Sequence, residues 1–152
     1  MNNRRSFIVG IKSTKLLLKE REFIKKYKPW GIILFSRNII NLKQAKKLTL
    51  SIRKIFKDSK YPILIDQEGG RVNRLKNIMS FSNLTSEFFG NKFISKPNEF
   101  IFFYNLFIDK TSYLLKLIGI NINTTPVLDL RIKGSSNVIG DRSFSKNPKS
   151  VS

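Results

Sequence analysis

The sequence contains no cysteine and no histidine among its 152 residues. The absence of cysteine excludes a disulfide framework, a thiolate metal site and a cysteine nucleophile. The absence of histidine removes the commonest general acid or base and the commonest neutral metal ligand. Any chemistry carried out by these residues must therefore use carboxylates, lysine, arginine, tyrosine or hydroxyl groups.

Long apolar runs are also absent from the sequence. No window approaches the roughly 18 apolar residues of a membrane span. The apolar run 7–11 follows two arginines, as in a signal peptide. Lys12 interrupts this run before it reaches the roughly 7–15 residues that the apolar part of a signal peptide needs. We therefore expect a soluble, cytoplasmic protein that has no membrane as a partner.

Acidic residues are scarce, because 10 Asp and Glu stand against 29 Lys and Arg, and the formal net charge is +19. A charge of this size is compatible with RNA or another anionic surface as a partner. However, 20 of the basic residues are lysines spread between Lys12 and Lys149, and no RNA-binding motif or zinc finger is present. Lys, Ile, Asn and Phe, which all have A/T-rich codons, make up 67 residues, so base composition explains the lysine excess equally well. A solvated basic surface is therefore favoured, and a basic, non-catalytic protein that binds RNA or anionic surfaces is the alternative.

The length suits one globular domain, in which apolar strands alternate with amphipathic helices. Continuous apolar strands separated by helices favour a parallel sheet covered by helices. Two α/β architectures fit this pattern, an open doubly wound sheet and a (β/α)8 barrel. The pattern predicts strands at 6–11, 31–35 and 62–65 and a fourth centred on 126–128, helices at 14–28 (with Thr14 as N-cap), 42–57 and 99–118, and an irregular stretch at 71–98.

Polar residues follow three of the four predicted strands: Arg37-Asn38, Asp66-Gln67-Glu68 and Asp129. In parallel α/β folds, functional residues gather at the carboxyl ends of the strands. Asp66 and Glu68 are compatible with the paired carboxylates of glycoside hydrolysis and with oxygen ligation of Mg²⁺. They are equally compatible with structural ion pairs to Arg71 or Arg74.

Glycines and arginines follow the carboxylates directly. Gly69-Gly70 is not followed by the Gly-Lys-Ser/Thr of a phosphate-binding loop, so a tight turn explains both glycines. Arg71, Arg74 and Arg142 lie in predicted loops, and the planar donor fork of arginine suits carboxylates, phosphates or vicinal hydroxyls. These arginines indicate a polar ligand without specifying which one.

Four segments carry a family resemblance: GIILFSRN at 31–38, IDQEGGRVNR at 65–74, TPVLD at 125–129 and VIGDRSF at 138–144. Together they resemble glycoside hydrolase family 3, and in particular its bacterial cytoplasmic β-N-acetylhexosaminidases. Four motifs in the family's order are far more specific than a single pattern.

The resemblance implies an α/β fold, a TIM-like (β/α)8 barrel, of which residues 1–152 supply about the first four strand–helix units as its N-terminal part. It implies a retaining glycoside hydrolase that removes terminal β-linked N-acetylglucosamine from cell-wall muropeptides, with no metal and no organic cofactor. Asp66, Arg74 and Arg142 correspond to sugar-binding residues of the family. Asp66 would accept hydrogen bonds from sugar hydroxyls, while the two arginines would donate to the sugar and orient Asp66.

The family's catalytic residues correspond to no position in this sequence. Its acid/base histidine, its nucleophilic aspartate and its sugar-binding Lys-His pair lie further along, and this chain contains no histidine. We therefore expect no catalytic residue here, no hydrolysis by residues 1–152 alone, and a missing C-terminal half as a partner. A half barrel would leave a strand edge unpaired, which predicts aggregation or partial folding in isolation.

Overall fold

The fold is a parallel sheet of four strands with helices in the connections. The computed structural model describes residues 4–134 and 136–151. The strands pair in the order β1-β2-β3-β4, and every pairing is parallel. The elements are β1 (Arg5–Gly10), α1 (Leu18–Tyr27), β2 (Pro29–Leu34), α2 (Leu42–Phe56), β3 (Ile63–Ile65), α3 (Ser86–Ser95), α4 (Pro97–Leu117), β4 (Ile122–Asn123) and α5 (Pro148–Val151), with short 3₁₀ turns at Ser36–Asn38 and Gly140–Arg142.

The two central strands form the middle of the core. Ile32 of β2 lies opposite Ile63 of β3, and Leu34 lies opposite Ile65. All four side chains are fully buried, as expected for strands covered on both faces. The buried face of α2, which repeats at helical spacing, belongs to the same core and comprises Ala45, Leu48 and Ile52.

Helix α1 begins later than the sequence predicts. The side-chain carboxylate of Glu20 accepts hydrogen bonds from the backbone N–H groups of Leu17 (2.9 Å) and Lys12 (2.7 Å). A first-turn carboxylate satisfies otherwise unpaired N–H groups and favours a helix start at this point. The prediction of a helix from residue 14 with Thr14 as its cap was therefore wrong by one turn.

The stretch 71–98, predicted to be irregular, contains the ten-residue helix α3. The Thr85 hydroxyl accepts a hydrogen bond from the backbone N–H of Phe88 (3.0 Å) and caps this helix. Helix α4 then starts at Pro97. Proline is tolerated in the first turn because the N–H group that it lacks would have no partner within the helix there. Its end at Leu117 agrees with the predicted helix to within one residue.

The fourth strand lies earlier in the chain than its predicted centre at 126–128. Ile122 and Asn123 of β4 pair with Leu64 and Ile65 of β3. Pro126 has no N–H to donate to a neighbouring strand, and the Leu128 side chain is 63% exposed. The apolar residues after Pro126 therefore belong to a loop beyond the sheet.

These elements confirm the predicted α/β fold. Within the described residues, β1 and β4 each have a neighbouring strand on one side only. Large hydrophobic side chains are also exposed on α4, with Phe102 and Tyr113 the most exposed. No helix in the described ranges is both long enough and apolar enough to cross a membrane.

Candidate functional site

A compact loop after β3 forms the base of the candidate site. The Gln67 side chain is buried, and its Oε1 accepts hydrogen bonds from the backbone N–H groups of Arg74 (2.8 Å) and Leu75 (3.1 Å). The backbone N–H of Gln67 donates to Oδ1 of Asn123, at the end of β4 (2.9 Å). Gln67 therefore joins the two ends of its own loop and connects them to the neighbouring strand.

The turn within this loop depends on its two glycines. Gly69 and Gly70 have φ angles of +93° and +55°, a region that favours glycine. A Cβ atom on Gly69 would lie 2.2 Å from the carbonyl oxygen of Leu84. The predicted tight turn is confirmed, and it brings the residues before and after the glycines to the same end of the sheet.

Asp66 forms an ion pair with Arg74. Nη2 of Arg74 lies 3.2 Å from Oδ2 of Asp66, and each of the two side chains is 25% exposed. The Thr124 hydroxyl lies 3.4 Å from the other carboxylate oxygen. The Arg74 guanidinium also lies over the ring of Phe35, 5.4 Å from its centroid. Asp66 is thus contacted by Arg74 of its own loop and by Thr124 of the loop after β4, and it still has carboxylate lone pairs available to a ligand.

Glu68 forms a second, more deeply buried ion pair with Arg142. Nε of Arg142 donates to Oε2 of Glu68 (2.8 Å), and Nη2 donates to Oε1 (2.7 Å). The Glu68 side chain is 3% exposed and that of Arg142 is 22% exposed. The hydrogen bonds to Glu68 raise the pKa of the Arg142 guanidinium, and the negative charges of Asp66 and Asp129 act in the same direction.

The structure therefore brings Asp66, Arg74 and Arg142 to one end of the sheet, with a pairing that the sequence does not specify. Arg74 donates to Asp66, whereas the carboxylate that pairs with Arg142 is that of Glu68. Phe35 and Thr124 are contacts of this cluster that sequence reasoning missed. Phe35 ends an apolar run directly before a polar cluster, and that position was the available signal.

Arg71 has a different set of partners. Its Nη2 donates to the backbone carbonyls of Asn137, Val138 and Ile139, and its Nε lies 2.9 Å from Oδ1 of Asp141. Arg71 is therefore attached to the segment that precedes Arg142 rather than to either carboxylate of its own loop.

Residues 8–152 match the family described as "Glycosyl hydrolase family 3 N terminal domain". The chain belongs to glycosyl hydrolase family 3.

One sequence relative and two solved structures illustrate what this family 3 chain is similar to. A "Beta-hexosaminidase" of Xanthomonas euvesicatoria pv. vesicatoria is 30% identical over 148 residues, covering 95% of this chain and 42% of that protein. The structure of native NagZ from Neisseria gonorrhoeae matches with a TM-score of 0.83 and 29% identity, over 97% of this chain and 43% of that one. NagZ from Neisseria gonorrhoeae in complex with N-trifluoroacetyl-D-glucosamine matches with a TM-score of 0.72 and 28% identity, over 97% and 44% of the two chains. The family 3 chain described here thus spans less than half the length of these relatives.

The sequence leaves three roles open for Asp66 and Glu68, and the structure shows the role in ion pairs for both. Asp66 and Glu68 are each held by an arginine, and the predicted ion pair with Arg74 is confirmed for Asp66. Residues 4–134 and 136–151 contain no group of three or more carboxylates that could hold a metal ion. The arrangement suits recognition of a polar ligand by one partly exposed carboxylate and two arginines.

The polar residues after β2 have a structural role. Asn38 is fully buried, and its side chain accepts from the backbone N–H of Phe35 (2.9 Å) and donates to the carbonyls of Ile11 (3.1 Å) and Ser13 (2.8 Å). The neighbouring Arg37 donates to the same Ile11 carbonyl (3.1 Å). This cluster therefore connects the exits of β1 and β2.

We expect Asn38→Ala to lower the free energy of unfolding by about 2 kcal/mol, because the partly buried N–H of Phe35 and carbonyl of Ser13 lose their Asn38 partner, whereas the Ile11 carbonyl keeps Arg37. Urea denaturation followed by circular dichroism measures the change. Asn105→Ala, on an exposed part of α4, is the matched control and should stay within about 0.5 kcal/mol of the wild type. Equal stability of the two variants would contradict a structural role for Asn38.

Proposed function

We propose that this chain forms the sugar-binding part of a cytoplasmic β-N-acetylhexosaminidase. The reaction of the complete enzyme would be removal of terminal β-linked N-acetylglucosamine from muropeptide fragments of the cell wall by a retaining mechanism. Family membership, relatives named as beta-hexosaminidases and a similar structure that contains a glucosamine derivative support this proposal. The observation that carries it is the cluster of Asp66, Arg74 and Arg142 at the carboxyl ends of the strands.

The chemistry of the cluster suits a neutral sugar. A partly exposed carboxylate accepts hydrogen bonds from hydroxyl groups, and an arginine beside it supplies donors in a fixed plane. Arg74 orients Asp66, and each residue retains hydrogen-bonding capacity beyond the ion pair that joins them. Such contacts hold a sugar ring in place relative to the bond that breaks, which is a positioning role.

Hydrolysis itself would require groups that these residues do not supply. The chain has no histidine to act as the acid/base of the family, and each carboxylate of the site is paired with arginine. We therefore propose that residues 1–152 bind the sugar but do not hydrolyse it, and that a C-terminal half of the barrel supplies the catalytic groups.

Titration of the purified chain with N-acetylglucosamine, followed by ligand-observed NMR, tests the binding proposal. Asp66→Asn and Arg74→Ala should each weaken binding by about tenfold or more, since each removes a charge-assisted hydrogen bond. Asp109→Asn, an exposed carboxylate on α4, is the control and should bind as the wild type does. Binding that none of these variants alters would contradict the assigned site. Turnover of a chromogenic β-N-acetylglucosaminide that disappears in Asp66→Ala would overturn the expected inactivity.

One feature of the surface favours the alternative of a basic binding protein. The neighbouring helices α1 and α2 together expose many cations, and Glu22 is the one exposed acidic side chain on these two helices. A polyanion bound through such a surface would lose affinity steeply as salt increases. Binding of N-acetylglucosamine depends little on salt, so the ionic strength separates the two functions. The exposed cations are Lys19, Arg21, Lys25 and Lys26 on α1 and Lys43, Lys46, Lys47 and Lys54 on α2.

A further inference from the structure

The segment 137–142, which carries Arg142, has little apolar anchoring of its own. Val138 is 64% exposed, and the 3₁₀ turn Gly140–Arg142 contains no buried residue. A surface segment without buried apolar side chains is ordered mainly by its polar contacts. The position of the Arg142 guanidinium therefore depends on the side chains that hold this segment.

Arg71 makes the first attachment. One nitrogen, Nη2, lies 2.8 Å from the carbonyl oxygen of Asn137, 2.6 Å from that of Val138 and 2.9 Å from that of Ile139. The Nε of the same guanidinium pairs with Asp141 (2.9 Å). These contacts of one planar group with residues 137, 138, 139 and 141 fix both the path and the orientation of the segment.

Glu68 makes the second attachment, directly to Arg142. The two parallel hydrogen bonds of 2.8 and 2.7 Å are a fork–fork pair, which fixes the plane of the guanidinium as well as its distance. Arg142 uses Nε and one Nη2 hydrogen in this pair, and further N–H donors remain. Its Nη1 has a single long contact, 3.4 Å from the carbonyl oxygen of Val138.

Both attachments come from the same turn. Glu68 and Arg71 flank Gly69 and Gly70, whose positive φ angles reverse the chain between them. The same loop also holds Asp66 through the ion pair with Arg74. One loop therefore sets the positions of both halves of the proposed sugar site.

We propose that Glu68 and Arg71 are positioning residues that hold segment 137–142 so that Arg142 is ready to donate to a sugar before the sugar binds. This inference rests on the proposed function. Because the segment is already ordered in the folded chain, ligand binding does not carry the entropic cost of ordering it. Loss of either attachment therefore weakens the affinity for the sugar, although no group that touches the sugar is removed.

Hydrogen exchange of the peptide covering 137–142, measured on the full chain, tests the attachment independently of any sugar. Arg71→Met and Glu68→Gln should each accelerate exchange of these amides by about tenfold or more. The matched control is Arg131→Met. Arg131 forms an ion pair with Glu87, and its side chain is 45% exposed, close to the 46% of Arg71. The control should leave exchange of 137–142 unchanged. Exchange that stays at the wild-type rate in both Arg71→Met and Glu68→Gln overturns the inference.

The affinity for N-acetylglucosamine, measured on the same variants, tests the consequence. We expect an increase in Kd of about tenfold for Arg71→Met and Glu68→Gln and none for Arg131→Met. In Arg71→Ala, added ethylguanidinium should restore both the slow exchange and the affinity, because the three carbonyls and Asp141 remain to bind it. Faster exchange with an unchanged Kd, or restored exchange without restored affinity, overturns the positioning role. A wild-type chain that does not bind the sugar at all, while exchange responds as expected, instead identifies a failure of the proposed function.

Discussion

Replacing Gly90 with alanine is expected to lower the free energy of unfolding by about 3 kcal/mol, although alanine is the better helix former. Gly90 lies in the middle of α3, and a Cβ atom there would be 1.7 Å from the carbonyl oxygen of Phe144 and 2.7 Å from its carbonyl carbon. Both are backbone atoms, so the clash is relieved only if α3 moves away from the chain that follows Arg142. Urea denaturation of the wild type and of Gly90→Ala under identical conditions gives the difference in the free energy of unfolding.

Gly134→Ala separates this clash from the general effect of a methyl group. A Cβ atom on Gly134 meets no atom within 4 Å, but its φ of +85° is unfavourable for alanine. A cost of about 1 kcal/mol is therefore expected for Gly134→Ala, from the backbone alone. If Gly90→Ala proves as stable as the wild type, or more stable, the close packing of α3 against Phe144 is refuted.

Gly90 also explains why α3 is difficult to predict from the sequence. The helix has ten residues, includes a glycine and several small polar residues, and follows a long polar stretch. Intrinsic propensity disfavours glycine within a helix by about 1 kcal/mol relative to alanine. The structural reason for the glycine, close approach of a backbone 54 positions later in the sequence, depends on the tertiary fold and leaves no local signal.

The central strands could be predicted because their burial leaves a direct trace in the sequence. Ile63–Ile65 and most of β2 are continuous apolar runs, as expected where both faces of a strand are covered. Strand β4 leaves no such trace, since it consists of Ile122 and Asn123 alone. The apolar residues after Pro126 gave a stronger pattern than the strand itself, and the prediction followed them.

The residues of the site could be singled out from the sequence, but their pairing could not. Asp66 is indicated by its position at the end of a predicted strand, and Arg74 and Arg142 by their positions in predicted loops. The family motifs indicate all three residues. Glu68 and Arg142 are 74 positions apart, and no local rule states which carboxylate a distant arginine will meet. The same limit applies to Arg71, whose partners in 137–141 depend on how a loop packs against the sheet.

The largest electrostatic effect is expected where the Glu68–Arg142 pair is broken on one side. Arg142→Met removes the partner of a carboxylate that is 3% exposed, and we expect it to lower the free energy of unfolding by about 3 kcal/mol. Glu68→Met should cost less, because Arg142 is 22% exposed and its guanidinium retains access to water. Urea denaturation of both single variants and of the double variant completes a double-mutant cycle.

The double variant Glu68→Met/Arg142→Met should be more stable than Arg142→Met alone. Replacing both partners of a buried ion pair with apolar side chains removes the uncompensated charge, and such replacements are often neutral or stabilising. We expect a coupling energy of about 2 kcal/mol or more between the two positions. For Arg131 and Glu87, an exposed pair, the corresponding cycle should give less than about 1 kcal/mol. Additive effects at Glu68 and Arg142 would mean that the pair does not exist in solution, and the fixed position of Arg142 would then lose its physical basis.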